Sequence, residues 1–291
     1  MKPSHVQTKR EIQALLAAAD RRPDKRRGQN FLIDGNLMRK LVEEAQIGPG
    51  DTVLEVGGGT GGLTDLLAQV AGRVVVVEVD GALASVLANR FAACEQVTLL
   101  HCDVLTNKST IASAVLEALE QHVPPEGGKR LLVANLPYSI ATPLIMNLLV
   151  ARPRVDRLCF TVQKEVAQRL LGRSGGKDFG PLSIAAQTVC TVRRLAWLPA
   201  SAFWPAPQVE SAMLRLDRRE HPFERGDTLR CFLDVVHAAF AHRRKTLRFN
   251  LERHLADDAL AQAAGIVDLA KRAEAVELCS WIELGRRLRA S

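Results

Sequence analysis

At 291 residues the chain is long enough for one large domain, or for one large and one small domain, with an ample core. Its six cysteines form no C-x-x-C pair and it has no run of about eighteen apolar residues, which excludes a disulfide-stapled miniprotein, a zinc ribbon, a thioredoxin-like motif and an integral membrane protein. The formal net charge of +7 favours an anionic partner such as nucleic acid.

The first 27 residues are rich in Lys and Arg around a helical stretch at 11–19. They contain neither the apolar region nor the small-residue cleavage site of a secretory signal, so we expect a cytoplasmic protein. We interpret residues 1–27 as a basic arm that orders on a partner.

From residue 52 onward, short apolar strands alternate with stretches of helical periodicity. The predicted strands are 52–56, 73–79, 97–100, 131–134 and 158–162, and the predicted helices are 63–70, 82–91, 111–121 and 143–150. The strands are continuous apolar runs, which is typical of strands buried on both faces. This alternation predicts a doubly wound, mostly parallel sheet.

The pattern changes in the last third of the chain. Two strands, 192–198 and 211–216, flank a Pro-rich loop at 203–207 and predict an antiparallel pair at the edge of the sheet. Helical periodicity follows at 228–242, 245–255, 257–264 and 268–288. We therefore expect an α/β domain over 28–217 and a small helical domain over 218–291.

A glycine loop, residues 57–62, joins the predicted strand 52–56 to the predicted helix 63–70. At this loop the backbone can approach a nucleotide-like ligand. As G-x-G-x-x-G, with Glu78 about twenty residues further on, it fits a dinucleotide enzyme. From Glu55, as E-x-G-x-G-x-G, it fits a methyltransferase that uses S-adenosyl-L-methionine (SAM), because an acid near the loop suits a cationic ligand better than a pyrophosphate. Either pattern predicts a cofactor site.

Acidic residues also end the next two strands. Glu78 is placed to accept hydrogen bonds from two ribose hydroxyls, and Asp103 to accept one from an adenine amino group. A single acid at a strand end is often just a solvated charge. Acids at three successive strand ends favour a ligand crevice.

The fourth strand of the alternation ends in Asn135-Leu136-Pro137-Tyr138, which contains the chain's only tyrosine. The exocyclic amine of a base is a poor nucleophile, because its lone pair is delocalised into the ring. The Asn135 side-chain oxygen and the Leu136 carbonyl can accept its protons, Pro137 fixes the backbone, and Tyr138 can stack on an extruded base. Positioning then replaces a general base, because the amine becomes acidic only after methyl transfer.

In their order along the chain, these motifs resemble those of the rRNA adenine N6,N6-dimethyltransferases, and the branch they resemble is the KsgA type, which modifies small-subunit rRNA. The resemblance runs from about residue 25 to the C-terminus and includes the segments 29–32, 57–62, 78–80, 135–138, 163–167, 179–183, 203–212 and 240–246. Three features depart from the family pattern: Gly58 stands where Pro is frequent, Phe179 stands where Tyr is usual, and the N-terminal arm is longer.

The resemblance implies a Rossmann-like SAM-dependent methyltransferase sheet with a small helical C-terminal domain. It implies dimethylation of two adjacent adenines near the 3′ end of small-subunit rRNA, in an immature ribosomal subunit onto which the helical domain helps to dock. Phe203 would cover the target base opposite Tyr138, while Asn135, Leu136 and Tyr138 handle it. The residues implied to bind SAM are Asn30, Leu32 through its backbone, Gly57, Gly59, Glu78, Asp103 and Asn135.

In and just after the segment 240–246, Arg243, Arg244, Lys245 and Arg248 form a cationic cluster at a helix start that suits RNA phosphates, with a plain solvated face as the alternative. The histidines lack metal-ligand spacing, so we expect no metal. Among the tryptophans, Trp204 in the Pro-rich loop is the candidate for base stacking. We expect a monomer with no membrane partner.

Three other functions fit parts of the sequence. A large-subunit rRNA adenine methyltransferase of the antibiotic-resistance type has a similar site, but it typically has Ile where Leu136 stands and matches less well beyond the catalytic domain. A non-catalytic ribosome assembly factor keeps the fold without turnover, which the intact Glu78, Asp103, Asn135 and Tyr138 disfavour. An NAD-dependent oxidoreductase would bind NADH.

Overall fold

The computed structural model describes residues 6–24, 28–220, 223 and 228–288. The strands are β1 (Phe31–Leu32), β2 (Thr52–Val56), β3 (Arg73–Glu78), β4 (Val97–His101), β5 (Leu105–Asn107), β6 (Thr110–Ile111), β7 (Arg130–Asn135), β8 (Arg157–Gln163), β9 (Cys190–Leu198), β10 (Phe203–Trp204) and β11 (Ser211–Arg218). The α-helices are α1 (Lys9–Ala18), α2 (Gly35–Ala45), α3 (Gly62–Ala68), α4 (Gly81–Phe91), α5 (Ser113–Gln121), α6 (Ala141–Val150), α7 (Lys164–Leu170), α8 (Pro181–Val189), α9 (Thr228–Ala239), α10 (Leu247–Leu251), α11 (Asp257–Ala264) and α12 (Leu278–Arg287).

Seven strands form one sheet in the order β4-β3-β2-β7-β8-β11-β9. The first five are parallel to their neighbours, and β11 is antiparallel to β8. The inner strands are fully buried, as their continuous apolar runs predict. The doubly wound, mostly parallel sheet is therefore confirmed. The chain order reverses between β2 and β7, so the ligand crevice of such a sheet lies beyond the carboxyl ends of these two strands.

The chain divides into two compact units, the first made of Met1–Ala167 and Arg193–Asp217 and the second of Gln168–Val192 and Arg218–Ser291. The second unit is helical, as the sequence predicts for its C-terminal part. Residues 168–192, which the expected boundaries place in the α/β domain, belong to the second unit because α8 packs on α9 and α12. The expected ranges 28–217 and 218–291 therefore differ from the compact units by this segment.

The sequence predicts that the N-terminal arm orders on a partner. In the structure, residues 6–24 of the arm are part of the first unit and pack on it. Helix α1 starts with a capping box between Thr8 and Glu11. Its apolar side chains Ile12 and Leu16 are buried and pack with Leu83 of α4, which supplies the apolar partner that a free arm lacks. Residues 1–5 and 25–27 of the expected arm lie outside the described residues.

Three of the four predicted C-terminal helices are shorter than expected, and 228–242 loses only its last three residues. The stretch 268–288 begins with a local turn, in which the Asp268 carboxylate accepts the Ala270 N–H at 2.9 Å, and has a 3-10 turn at Ala273–Ala275 before α12. The stretch 245–255 is reduced to α10, which Thr246 caps at its N-terminus. Consequently Arg243, Arg244 and Lys245 lie in the turn before α10 and not in its first helical turn. In the part of the chain that is described, no helix is long and apolar enough to cross a membrane.

Candidate cofactor and active site

A cavity of about 380 Å³ opens at the carboxyl ends of the parallel strands in the first unit. Its walls come from the segment before β1, the glycine loop after β2, the ends of β3 and β4, and the motif after β7. The structure thus brings five distant predicted segments to one place, and four of them follow strands that end at the same edge of the sheet. The predicted site residues that line this cavity are Asn30, Gly57, Gly59, Glu78, Asp103, Asn135, Leu136 and Pro137.

The glycine loop requires glycine where its backbone faces the cavity. Gly57 and Gly59 have positive φ angles of 80° and 57°, which L side chains rarely adopt. A Cβ at Gly57 would lie 3.1 Å from the Pro137 ring, and one at Gly59 would lie 3.0 Å from the Phe31 ring. The bare backbone therefore leaves the cavity open between the two walls.

The departure from the family pattern at Gly58 has a packing explanation. A Cβ at this position would lie 2.4 Å from Val76 Cγ1 and 2.9 Å from Leu87 Cδ1. Both of these side chains are buried under the loop. Val76 and Leu87 fill the space that a larger residue at position 58 would need, so this chain accommodates only glycine there without repacking.

Glu78 is held at the cavity wall by the loop itself. Its two carboxylate oxygens each accept a backbone N–H at 2.9 Å, one from Gly59 and one from Asp80. Burial raises the pKa of Glu78 above its ordinary value, and the hydrogen bonds from Asp80 and Gly59 oppose that rise. Each oxygen keeps a further lone pair, so the carboxylate can still accept a pair of hydroxyl hydrogen bonds from a ribose.

Glu55 has a different role from the one that the sequence suggests. Its side chain is 1% exposed, does not line the cavity, and accepts a hydrogen bond from the Thr64 hydroxyl at 2.7 Å. Burial raises the pKa of Glu55 from 4.5 to about 8, so the group is mostly protonated at neutral pH. The expectation that it offers a negative charge to a cationic ligand is therefore not supported, and Glu55 instead joins β2 to α3.

The side-chain amide of Asn135 is fixed at both ends. Its Nδ2 donates to the Asn30 carbonyl oxygen at 2.7 Å, and its Oδ1 accepts a hydrogen bond from the Thr161 hydroxyl. Thr161 is fully buried on β8 and is the register partner of Asn135. The oxygen keeps one lone pair for an incoming donor. The contact of Thr161 with Asn135 was not predicted from the sequence. The one sequence signal for it was a polar residue, this threonine, inside the apolar run 158–162.

Three of the residues predicted to contact SAM or the target base are not among the described residues that line the cavity. Leu32 and Phe203 pair with each other in the short β1–β10 ribbon and are buried in the core. Phe203 is 2% exposed, so the structure does not place its ring where it could cover a base. Tyr138 is half-buried and shares a 2.6 Å hydrogen bond with the Ser211 hydroxyl.

The cationic cluster belongs to the second unit. Arg243, Arg244 and Lys245 are exposed in the turn before α10. The Arg243 guanidinium donates to the Lys177 carbonyl at 2.8 Å, and the Lys245 ammonium lies 5.2 Å from the centre of the Phe249 ring. These contacts hold two of the three positive side chains at the surface of this unit. Among the described residues no group of three or more His, Cys, Asp or Glu side chains could hold a metal ion.

The sheet, the glycine loop and the acid at the end of the following strand are those of a Rossmann-like enzyme with a nucleotide-type cofactor site, and the family matched below makes it a SAM-dependent methyltransferase. The model of the family described as ribosomal RNA adenine dimethylase matches residues 22–288. The chain therefore belongs to this family.

Individual relatives agree with this membership. The protein named ribosomal RNA small subunit methyltransferase A of Geobacillus kaustophilus is 38% identical over 269 residues, which cover 90% of this chain and 89% of that protein. The protein of the same name from Streptomyces griseus is 39% identical over 259 residues, covering 87% and 84%.

Two solved structures are also similar over most of their length. A dimethyladenosine transferase from Plasmodium falciparum has a TM-score of 0.71 at 22% identity, covering 89% of this chain and 98% of that chain, and shows the shared fold. The 23S rRNA methyltransferase ErmE has a TM-score of 0.63 at 25% identity, covering 89% and 100%.

Proposed function

We propose that this protein dimethylates the N6 atoms of two adjacent adenines near the 3′ end of small-subunit rRNA, with SAM as the methyl donor. In this proposal it acts as a cytoplasmic monomer on an immature small ribosomal subunit. The observation that carries the proposal is the doubly anchored Asn135 amide, whose oxygen remains able to accept a proton donor at the wall of the cavity.

The cavity fits SAM in size and in the chemistry of its walls. Glu78 is oriented to accept the ribose hydroxyls, and Asp103, whose Oδ1 also accepts the Leu105 N–H at 3.0 Å, is placed to accept an adenine amino proton. The bare backbone at Gly57 and Gly59 permits close approach of the ligand. When bound, SAM supplies an electrophilic methyl group on its sulfonium.

Around the target adenine, the motif at 135–138 performs the positioning. Asn135 Oδ1 and the Leu136 carbonyl each accept a hydrogen bond from the exocyclic amine. These two hydrogen bonds direct the lone pair of the amine nitrogen towards the methyl group. The Tyr138 hydroxyl is held by Ser211, so the direction of the ring is set before RNA arrives. A ring fixed in this way can stack on an extruded base. The rate then comes from orientation and exclusion of water.

The choice of small-subunit rRNA is supported by the relatives of that name, whose similarity extends over both units of the chain. The exposed cations 243–245 on the helical unit suit contacts to RNA phosphates during docking. Methylation of large-subunit rRNA remains the second candidate, because a 23S rRNA methyltransferase shares the fold at 25% identity. Leu136 disfavours it.

The test is transfer of labelled methyl groups from SAM to immature small subunits that lack the modification, with large subunits as a control and nucleoside analysis of the product. We expect dimethyladenosine in the small subunit alone. Label in the large subunit would favour the second candidate, and SAM binding without transfer to either particle would indicate a non-catalytic assembly factor.

An Asn135→Ala variant tests the role of the amide in the same assay. Because the target amine loses its acceptor, we expect methyl transfer to fall by about 100-fold or more, the range seen when one preorganised transition-state contact is removed. SAM affinity should fall much less, as measured by calorimetry. Unchanged turnover would remove Asn135 from the mechanism.

A further inference from the structure

One aromatic ring lies exposed at the edge of the sheet. Among the described residues four large apolar side chains are exposed, and Trp197, at 39%, is the aromatic one. It belongs to β9, which is the last strand in the order of the sheet. Trp204, the tryptophan that the sequence favoured for stacking, is instead stacked on Phe31 at 6.3 Å between ring centres.

Two cations accompany this ring. The guanidinium carbon of Arg194 lies 4.5 Å from the Trp197 ring centre, and the ammonium of Lys164 lies 5.5 Å from it. Both distances are within the range of a cation–π interaction. We name Lys164, Arg194 and Trp197 the Trp197 patch. All three residues belong to the first unit.

A continuous set of contacts links the patch to the motif that handles the target base. The Tyr138 hydroxyl contacts Ser211 at 2.6 Å, and Glu210, the residue before Ser211, binds the Lys164 ammonium at 2.6 Å. Lys164 is the first residue of α7 and directly follows the carboxyl end of β8 at Gln163. Thr161, near the same end of β8, contacts Asn135. The patch therefore lies on the same edge of the sheet as the target-base motif.

The chemistry of the patch suits a nucleotide of single-stranded RNA. An exposed aromatic ring stacks on the face of any base, and nearby Arg and Lys side chains contact the adjoining phosphates. Extrusion of a target adenine leaves its neighbours without a stacking partner, so an aromatic platform beside the site compensates for part of that loss. Glu210 orients Lys164 towards the ring through their ion pair.

We propose that an unpaired base next to the target adenine stacks on Trp197 and takes the place of the cation over that face of the ring, while Arg194 and Lys164 contact the phosphates on either side of the base. The Trp197 proposal rests on the proposed function, because the base next to the target adenine reaches Trp197 only when the target adenine lies at Asn135. It assigns to this chain a second RNA-binding site beside the catalytic motif.

The direct test is binding of a short single-stranded RNA that carries 2-aminopurine beside an adenine, followed by anisotropy and by 2-aminopurine fluorescence. One stacked base is worth about 1–3 kcal/mol, so we expect Trp197→Ala to weaken affinity about 5- to 150-fold and to abolish the quenching. Trp197→Phe should recover part of both. Val123→Ala, which removes another exposed apolar side chain, is the matched control and should change neither.

A charge variant examines the phosphate contacts. Arg194→Gln should weaken RNA affinity and flatten its salt dependence, whereas Arg39→Gln, an exposed arginine of α2, should not. In the methyl transfer assay, Trp197→Ala should raise KM for RNA with kcat nearly unchanged, because stacking outside the reacting base contributes equally to ground and transition states. SAM affinity and the thermal midpoint should stay at wild-type values.

Several outcomes would overturn the Trp197 proposal. One is wild-type RNA affinity and wild-type quenching in Trp197→Ala. Another is a loss of affinity for ribosomal particles with the affinity for naked RNA unaffected, because a protein would then occupy the patch. Failure of the wild type to methylate any RNA would instead overturn the proposed function. The affinity and quenching measurements do not depend on turnover, so the two failures are distinguishable.

Discussion

Thr161 donates a hydrogen bond to the side-chain oxygen of Asn135, and the two residues are partners in the register of β7 and β8. The same amide donates to the Asn30 carbonyl on its nitrogen side. An amide with a donor on its oxygen and an acceptor on its nitrogen has one favourable orientation. Under the proposed function, Thr161 is a positioning residue that keeps the Asn135 oxygen directed for the target amine.

Removing that hydroxyl should slow methyl transfer without weakening ligand binding. A buried hydrogen bond contributes about 0.5–1.5 kcal/mol, so we expect Thr161→Val to lower kcat about 2- to 10-fold, with KM for RNA and SAM affinity unchanged. Thr161→Ser keeps the hydroxyl and should restore most of the rate. Single-turnover kinetics measure the effect, and equal rates for the valine and serine variants would assign Thr161 a packing role alone.

The position of the candidate site could be predicted because its polar residues follow buried strands. Glu78 and Asn135 end two such strands, and the parallel arrangement brings both ends to one cavity. Thr161 escaped prediction because its role depends on cross-strand register, which periodicity along one strand does not determine. The burial of Phe203 was not predictable for a similar reason, since the two-residue pairing of β1 with β10 is too short to leave a pattern.

It was harder to predict from the sequence which tryptophan is exposed and whether the N-terminal arm packs on the rest of the chain. The sequence places Trp197 in a predicted strand and Trp204 in the Pro-rich loop, yet Trp197 is the exposed ring and Trp204 stacks on Phe31. The arm looked free because its charges dominate its composition, whereas Ile12 and Leu16 decide its position. Few apolar residues in a basic segment are enough when a matching apolar partner exists elsewhere in the chain.

The buried Glu55 carboxyl should make stability depend on pH. Because the folded protein keeps the Glu55 pKa near 8, it holds a proton that the unfolded chain releases above about 4.5, so this group lowers the free energy of unfolding as pH rises from about 4.5 to about 8. Glu55→Gln cannot ionise, and its amide oxygen can still accept from Thr64. We expect this variant to show a flatter dependence in urea unfolding across that window.

The control for Glu55 is the exposed Glu43 of α2. Glu43→Gln should leave the pH dependence of unfolding as in the wild type. If Glu55→Gln and the wild type lost stability in parallel as pH rises, another group would be responsible for the dependence.

Variants of Tyr138 separate the ring from its hydroxyl. Tyr138→Ala removes stacking worth about 1–3 kcal/mol and should lower kcat/KM for RNA by about 5- to 150-fold. Tyr138→Phe keeps the ring but leaves the buried Ser211 hydroxyl without its 2.6 Å partner. We expect nearly normal methyl transfer but a loss of about 1–3 kcal/mol in stability.

The double variant Tyr138→Phe with Ser211→Ala tests that explanation. Removing both partners should recover much of the lost stability, since no buried polar group is then left unpaired. Methyl transfer that fell equally in the phenylalanine and alanine variants would contradict a stacking role for the ring.

The N-terminal arm should support the glycine loop, residues 57–62, through Gln7. Its amide donates to the Thr60 carbonyl at 2.9 Å and accepts from the Thr60 hydroxyl at 2.7 Å, inside the glycine loop. We expect Gln7→Ala to lower stability by about 1–3 kcal/mol, because the buried Thr60 hydroxyl loses its partner while the Thr60 carbonyl still accepts from Arg90, and to weaken SAM binding. Gln13→Ala, an exposed glutamine of α1, is the matched control. Unchanged SAM affinity in Gln7→Ala would show that the arm stabilises the fold without supporting the loop.

The cationic cluster of the second unit should contribute sequence-independent RNA affinity. Replacing Arg243, Arg244 and Lys245 by Gln removes up to three phosphate contacts, each of which adds about 0.7 to the slope of log affinity against log salt on single strands and about 0.9 on duplexes. We expect the slope to fall by about two, with SAM affinity unchanged. A glutamine at 243 can still donate to the Lys177 carbonyl, so the fold of this turn should persist. The pair Arg286 and Arg287 of α12, which contact Glu283, is the control. An unaltered salt slope in the triple variant would show that the cluster is a solvated face.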